Sequence, residues 1–219
     1  MMNKVIEIQQ AINMIPDGAV IMFGGFMGNG SAHQIIDALV EANVKNLTVI
    51  CNDAGFPDYG VGKLVSNKQV KKVIASHIGL NKELGRQMSE GETEVELVPQ
   101  GTLVEQIRAH GYGLGGFLTK TGVGTLVEEG KQKLEVDGVV YLLEKPLKAD
   151  FAILFGSTVD KQGNIIYKGS MNNFNHVMAS AADVTIVEAG NVVEIGALEP
   201  NSVVTPGVFV NYIVDGGGS

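Results

Sequence analysis

Four glycines fall within seven residues at Gly24, Gly25, Phe26, Met27, Gly28, Asn29 and Gly30. An apolar run precedes them and a helical pattern follows. That context suits an anion or a thioester carbonyl. Bare backbone N–H groups can point inward, and the start of the next helix adds a positive partial charge. A tight turn with no ligand is the plain alternative. Such a turn needs one or two glycines, and gives no reason to expose Phe26 and Met27 beside them. Two amides come next. Asn52 and Gln100 each end a predicted parallel strand, where side chains face the ligand crevice of an open α/β sheet. Amides are neutral donors that keep their protons at any working pH. Aimed at a developing oxyanion, one such donor contributes roughly 3–4 kcal/mol. Loop capping by Asn52 and backbone bonding by Gln100 are the alternatives.

Other residues are weaker candidates. Ser89-Glu90-Gly91 sits in a polar stretch, 87–96, that reads as a solvated turn. His33, His77, His110 and His176 are widely separated and lack ligand spacing, so no metal site is expected. Cys51 reads as a small buried apolar residue. Gly111-x-Gly113-x-x-Gly116 matches a dinucleotide-binding pattern literally. It follows a predicted helix rather than a strand, which is the wrong context. The glycines of 111–116 and 122–124 fit mobile lids or close-packed interface backbone equally.

These residues need a frame. Ile6, Ile8, Ala11, Ile12 and Ile15 predict a short amphipathic helix. Residues 19–23 form a continuous apolar run, as expected of a strand buried on both faces. Ser31 is placed to cap a helix reaching about Asn43, with Ile35, Ile36, Leu39 and Val40 inward. Strands are predicted at 47–51, 70–76, 95–98, 151–155 and 184–187, and a helix at 102–110. A hairpin at 134–143 turns at Asp137-Gly138. A strand and a short helix or extended segment close the chain at 201–214. No internal repeat is evident. The pattern predicts one α/β domain over 1–214: an open, mostly parallel sheet with helices on both faces and a small antiparallel insert. Residues 215–219 read as a flexible tail.

Composition narrows the function. The net charge of −8 over 219 residues argues against nucleic acid, which is bound by neutralising phosphates. It also disfavours a DNA-linked ligand sensor on a related fold. The single Cys fits a reducing, cytoplasmic setting. Residues 1–16 hold no apolar core of a secretion signal, and no run approaches the ~20 residues that span a bilayer.

The segment Asp17-Gly18-Ala19-Val20-Ile21-Met22-Phe23-Gly24-Gly25-Phe26-Met27-Gly28-Asn29-Gly30 resembles the first signature of family I CoA-transferases. Ala32 departs from the Pro usual there. Cys51-Asn52-Asp53, Ser76-His77-Ile78-Gly79, Val98-Pro99-Gln100-Gly101, Gly113-Leu114-Gly115-Gly116-Phe117 and Asn172-Asn173-Phe174-Asn175 also resemble blocks of the alpha subunit. Ala54-Gly55, His110 and Tyr112 depart from it. The resemblance implies a Rossmann-like CoA-transferase fold. It also implies exchange of CoA between short-chain acids, such as acetoacetate, acetate and butyrate, by a ping-pong reaction. Residues 24–30 would contact the CoA thioester, and Asn52 and Gln100 would hold and polarise the acyl carboxylate or the thioester carbonyl. The nucleophilic Glu would lie within Ser-Glu-Asn-Gly of a beta subunit, in an α2β2 assembly. No permanently bound cofactor is implied, since CoA thioesters are substrates. An acyl-CoA hydrolase, or a transferase for other acids, is the alternative on the same fold.

Overall fold

The structure, a computed structural model, describes residues 4–217. The chain runs through β1 (Val5–Ile6), α1 (Ile8–Ile12), β2 (Val20–Phe23), α2 (His33–Ala42) and β3 (Leu47–Asp53). It continues through α3 (Gly62–Ser66), β4 (Val70–His77), α4 (Lys82–Ser89), β5 (Glu94–Leu97) and α5 (Gln100–Gly111). Next come β6 (Phe117–Thr119), β7 (Lys133–Val136), β8 (Val139–Glu144), β9 (Ala149–Gly156), β10 (Thr158–Asp160) and β11 (Ile165–Ile166). The chain closes with α6 (Asn175–Met178), β12 (Ala182–Ala189), β13 (Val192–Val193) and β14 (Tyr212–Asp215).

Eight strands form one sheet in the order β1-β14-β12-β9-β2-β3-β4-β5, and every pairing in it is parallel. Two three-stranded sheets, β6-β8-β7 and β11-β10-β13, stand apart from it, the first wholly antiparallel. The expected open α/β sheet with a small antiparallel insert is therefore present.

The apolar strand runs follow from burial on both faces. Side chains alternate across a strand. Ile21 and Phe23 enter one core with Ile35, Ile36, Leu39 and Leu64. Met22, between them, enters the opposite core with Leu103, Ile107 and Met178. Val49 and Ile50 divide in the same way. Helices α1 to α4 cover the first face, while α5 and α6 cover the second.

Several local expectations change. Ile6 pairs with Val214 as an edge strand, so the first helix keeps only Ile8–Ile12. Ser31 does not cap α2. The helix starts at His33 behind Ala32, and the Ser31 hydroxyl donates to the Gly24 carbonyl at 3.1 Å. Gln100 does not end a strand. β5 stops at Leu97 and Gln100 opens α5, with Pro99 just before it. Strand β14 takes in Asp215, and Gly216 N–H donates to the Ala189 carbonyl, so order extends into the stretch read as a tail. The remainder of that stretch, Gly218 and Ser219, lies outside the described residues. The Asp137-Gly138 hairpin forms as expected, with both φ angles positive.

Candidate functional site

Strand β2 stands where the winding of the main sheet reverses. β3, β4 and β5 lie on one side of it, and β9, β12 and β14 on the other. Ligands of open α/β sheets bind at that point, outside the carboxyl ends of the strands. The loop 24–30 leaves β2 there.

The loop is locked by a segment far along the chain. Asn175 is fully buried. Its Oδ1 accepts from Phe155 N–H at 3.1 Å, and its Nδ2 donates to the carbonyls of Gly30 at 2.8 Å and Met171 at 2.7 Å. A Cβ on Gly24 would lie 1.8 Å from Asn175 Oδ1, so glycine there is a requirement of close approach. The Asn173 carbonyl accepts from Gly25 N–H at 2.9 Å.

Most of the N–H groups expected to be bare are taken within the chain. Gly24 donates to Ile153, Gly25 to Asn173, Phe26 to Asn29, Met27 to the Asp53 carboxylate and Asn29 to Phe26. That leaves the N–H groups of Gly28 and Gly30, of the seven loop residues, without a hydrogen-bond partner among the described residues. The start of α2 is also occupied. Glu188, from β12, accepts from Ile35 N–H at 2.9 Å and replaces the missing side-chain cap. Burial foremost, helped by the charge of Asp37, pushes the Glu188 carboxyl up to about 6 against the N–H groups of Ile35, Gln34 and His33. The loop presents Phe26 and Met27 outward, with Asn29 exposed beside them and donating to the Ser170 hydroxyl at 2.7 Å.

The second loop, 55–60, repeats the first. Gly25-Phe26 and Gly30 are matched thirty residues later by Gly55-Phe56 and Gly60. Each loop closes on a single antiparallel bridge, Phe26 with Asn29 and Phe56 with Tyr59. Asp53 joins the two, accepting from Met27 N–H at 2.9 Å and from Gly55 N–H at 3.0 Å. Tyr59 packs over Gly28, where a Cβ would lie 2.0 Å from its ring, and leans on His33 with centroids 4.4 Å apart. Sequence reading missed this pair of loops, although the thirty-residue offset was its signal.

Asn52 and Gln100 are brought together. Gln100 Nε2 donates to Asn52 Oδ1 at 2.9 Å. The Ser76 hydroxyl lies 2.8 Å from the same oxygen, and Asn52 Nδ2 donates to Asn173 Oδ1 at 2.9 Å. Asn52 is fully buried, whereas Gln100 is exposed. Asn52 is thus the buried hub of an amide cluster, and Gln100 is its outward face. Ser76 and Asn173 carried no individual reading in the sequence.

The remaining candidates separate from this cluster. Glu90 is exposed and pairs with Arg86. Cys51 is buried in the core. Its thiol is pushed up by burial and, secondarily, by the charge of Asp53, which makes it a poor nucleophile. Gly111 ends a helix and packs against Ser180, while Gly116 packs against the Glu144 carbonyl. Those two glycines serve close approach within the chain. His33 donates to the Gly28 carbonyl at 2.8 Å. Beyond it opens a cleft of about 640 Å³, lined by Gly28, His33, Tyr59, Phe155, Lys168 and Glu188 among others.

A parallel sheet with an amide cluster and two braced glycine loops at its reversal point defines an α/β protein built to hold a ligand at that edge. The sequence pattern of the coenzyme A transferase family matches residues 5–216, and the chain belongs to that family. It is 54% identical to the acetoacetyl-CoA:acetate/butyrate CoA transferase alpha subunit of Clostridium acetobutylicum, over 98% of both chains. It is 52% identical to the acetate CoA-transferase subunit alpha of Escherichia coli, over 98% of this chain and 97% of that one. Two solved structures share the fold. An acyl-CoA transferase from E. coli O157:H7, seen as a thioester complex with CoA, superposes with a TM-score of 0.85 at 24% identity. The match covers 98% of this chain and 48% of that one, so this chain spans about half its length. Glutaconate coenzyme A-transferase from Acidaminococcus fermentans gives 0.86 at 18% identity, covering 96% and 75%.

Proposed function

We propose that this chain is the alpha subunit of a heteromeric, cytoplasmic CoA-transferase that exchanges CoA between acetoacetyl-CoA and acetate or butyrate. The observation that carries the reading is the amide cluster of Asn52 and Gln100 beside a loop with apolar side chains outward. It offers amide donors to a carbonyl. Asp53, next in the chain, has both oxygens taken by backbone N–H groups. The names of the two most similar relatives described above support the choice of acids.

The nucleophile is then a Glu of a beta subunit, and the assembly is α2β2. Its carboxylate attacks the acyl carbonyl of the thioester, forming a mixed anhydride and releasing CoA thiolate. The thiolate attacks the glutamyl carbonyl of the anhydride. This forms a glutamyl-CoA thioester and releases the first acid as its carboxylate. A second acid reverses both steps and leaves as the new acyl-CoA. Each attack places negative charge on a carbonyl oxygen. Gln100 is the exposed donor that meets it, and Asn52 fixes Gln100 from behind. Phe26 and Met27 help to exclude water, which would hydrolyse either intermediate. No resident cofactor takes part.

The test is CoA transfer from acetoacetyl-CoA to acetate and to butyrate, measured with this chain alone and with its beta subunit. Activity in the pair and not in the chain alone is expected. Activity from the chain alone sinks the half-site reading. Release of free CoA by the pair without transfer makes it a hydrolase.

A further inference from the structure

Asn173 bridges the first glycine loop and the amide cluster. Its backbone carbonyl holds Gly25 of the first loop, and its side-chain Oδ1 accepts from Asn52 Nδ2 at 2.9 Å. Asn52 has an amide whose two ends differ in role. In the orientation present, its oxygen accepts from Gln100 Nε2 and lies beside the Ser76 hydroxyl. Turned end for end, Asn52 would set an NH₂ against the NH₂ of Gln100 and an oxygen against Asn173 Oδ1. Both contacts would then repel, because amide N–H groups only donate and amide oxygens only accept. With Asn52 fully buried, no water would relieve the mismatch.

We propose that Asn173 is a positioning residue for CoA transfer. By accepting from Asn52 Nδ2 it holds Asn52 in the orientation that receives Gln100, and so aims the Gln100 amide at the reacting carbonyl. This rests on the reading of Asn52 and Gln100 given above. The local backbone allows a clean test. Asn173 has φ −50° and ψ 118°, close to the first central position of a type II turn, which alanine tolerates, and alanine keeps the carbonyl that holds Gly25.

The experiment compares the assembled alpha–beta pair carrying Asn173→Ala, Asn52→Ala or both. Asn173→Ala is expected to lower kcat about tenfold with KM for the acyl-CoA within twofold. The double variant is expected to match Asn52→Ala alone, because both changes break one chain of contacts. Asn173→Ser, too short to reach Asn52, serves if the alanine variant does not assemble. Unchanged kcat, losses that multiply in the double variant, or failure of both Asn173 variants to assemble overturns the inference. A wild-type pair that transfers no CoA overturns the reading beneath it instead.

Discussion

Gln100 donates its side-chain N–H to Asn52 Oδ1 across 2.9 Å, although one opens α5 and the other sits next to last in β3, forty-eight positions apart. One amide of the pair is buried and the other exposed, so the first restrains the second. A restrained donor costs less reorganisation when charge appears on a substrate oxygen. Gln100→Ala is expected to lower kcat at least tenfold with assembly intact. Gln100→Glu turns the donor into an acceptor facing Asn52 Oδ1 and is expected to be worse. Steady-state kinetics on the assembled pair decide it. Wild-type rates in Gln100→Ala would falsify the role.

Asp53 ties the two glycine loops through one carboxylate. It is buried, so both oxygens depend on those two N–H groups. Asn in its place keeps one acceptor and points an NH₂ at the other N–H. The expected result of Asp53→Asn is a loss of roughly 1–3 kcal/mol of stability from the unsatisfied pair. A raised KM for the acyl-CoA is expected with it, because Met27 is no longer held. Thermal unfolding and kinetics on the same preparation test this. A normal KM despite the stability loss shows that the hold of Asp53 on Met27 does not govern binding.

The parallel sheet was legible because strands buried on both faces read as unbroken apolar runs, as 19–23 and 151–155 do. The position of the first loop was legible for the same reason: it begins where that run stops. Its chemistry was not. Whether a glycine N–H is bare depends on what lies opposite, and here Asn173 and Asp53 occupy Gly25 and Met27. No local pattern marks a partner that far along the chain. Ser31 misled likewise. Its hydroxyl was claimed by the Gly24 carbonyl, while Glu188 supplied the cap across 153 positions. The twin loops are a different kind of miss, since Gly25-Phe26 and Gly55-Phe56 were in plain view.

Gly24 should be intolerant of any side chain. An added Cβ meets the buried Asn175 Oδ1 at 1.8 Å, and Asn175 is tied to three backbone groups, so it cannot withdraw cheaply. Overpacking of this kind costs typically 1–3 kcal/mol. Gly85, within α4, meets nothing on gaining a Cβ. Gly85→Ala is therefore expected to stabilise by up to about 1 kcal/mol through helix propensity. Denaturant melts of the two variants should move in opposite directions. A Gly24→Ala protein as stable as wild type would show that the brace at Asn175 is soft.

Glu188 links stability to pH. Its folded pKa of about 6 lies above the ordinary 4.5, because burial outweighs the helix N–H groups that it caps. Folding therefore favours the protonated form. The group's contribution is fully present below 4.5 and is lost as pH rises through about 6, a difference of about 2 kcal/mol. The charge of Asp37 adds to the upward shift that burial dominates. Glu188→Gln retains an acceptor for the start of α2 without burying a charge. Its stability relative to wild type should thus improve steadily between pH 4.5 and pH 7, then level off. Denaturant unfolding of both proteins across that range measures the gap. A gap that stays constant with pH means that Glu188 is solvated well enough to ionise normally while still accepting from Ile35 N–H.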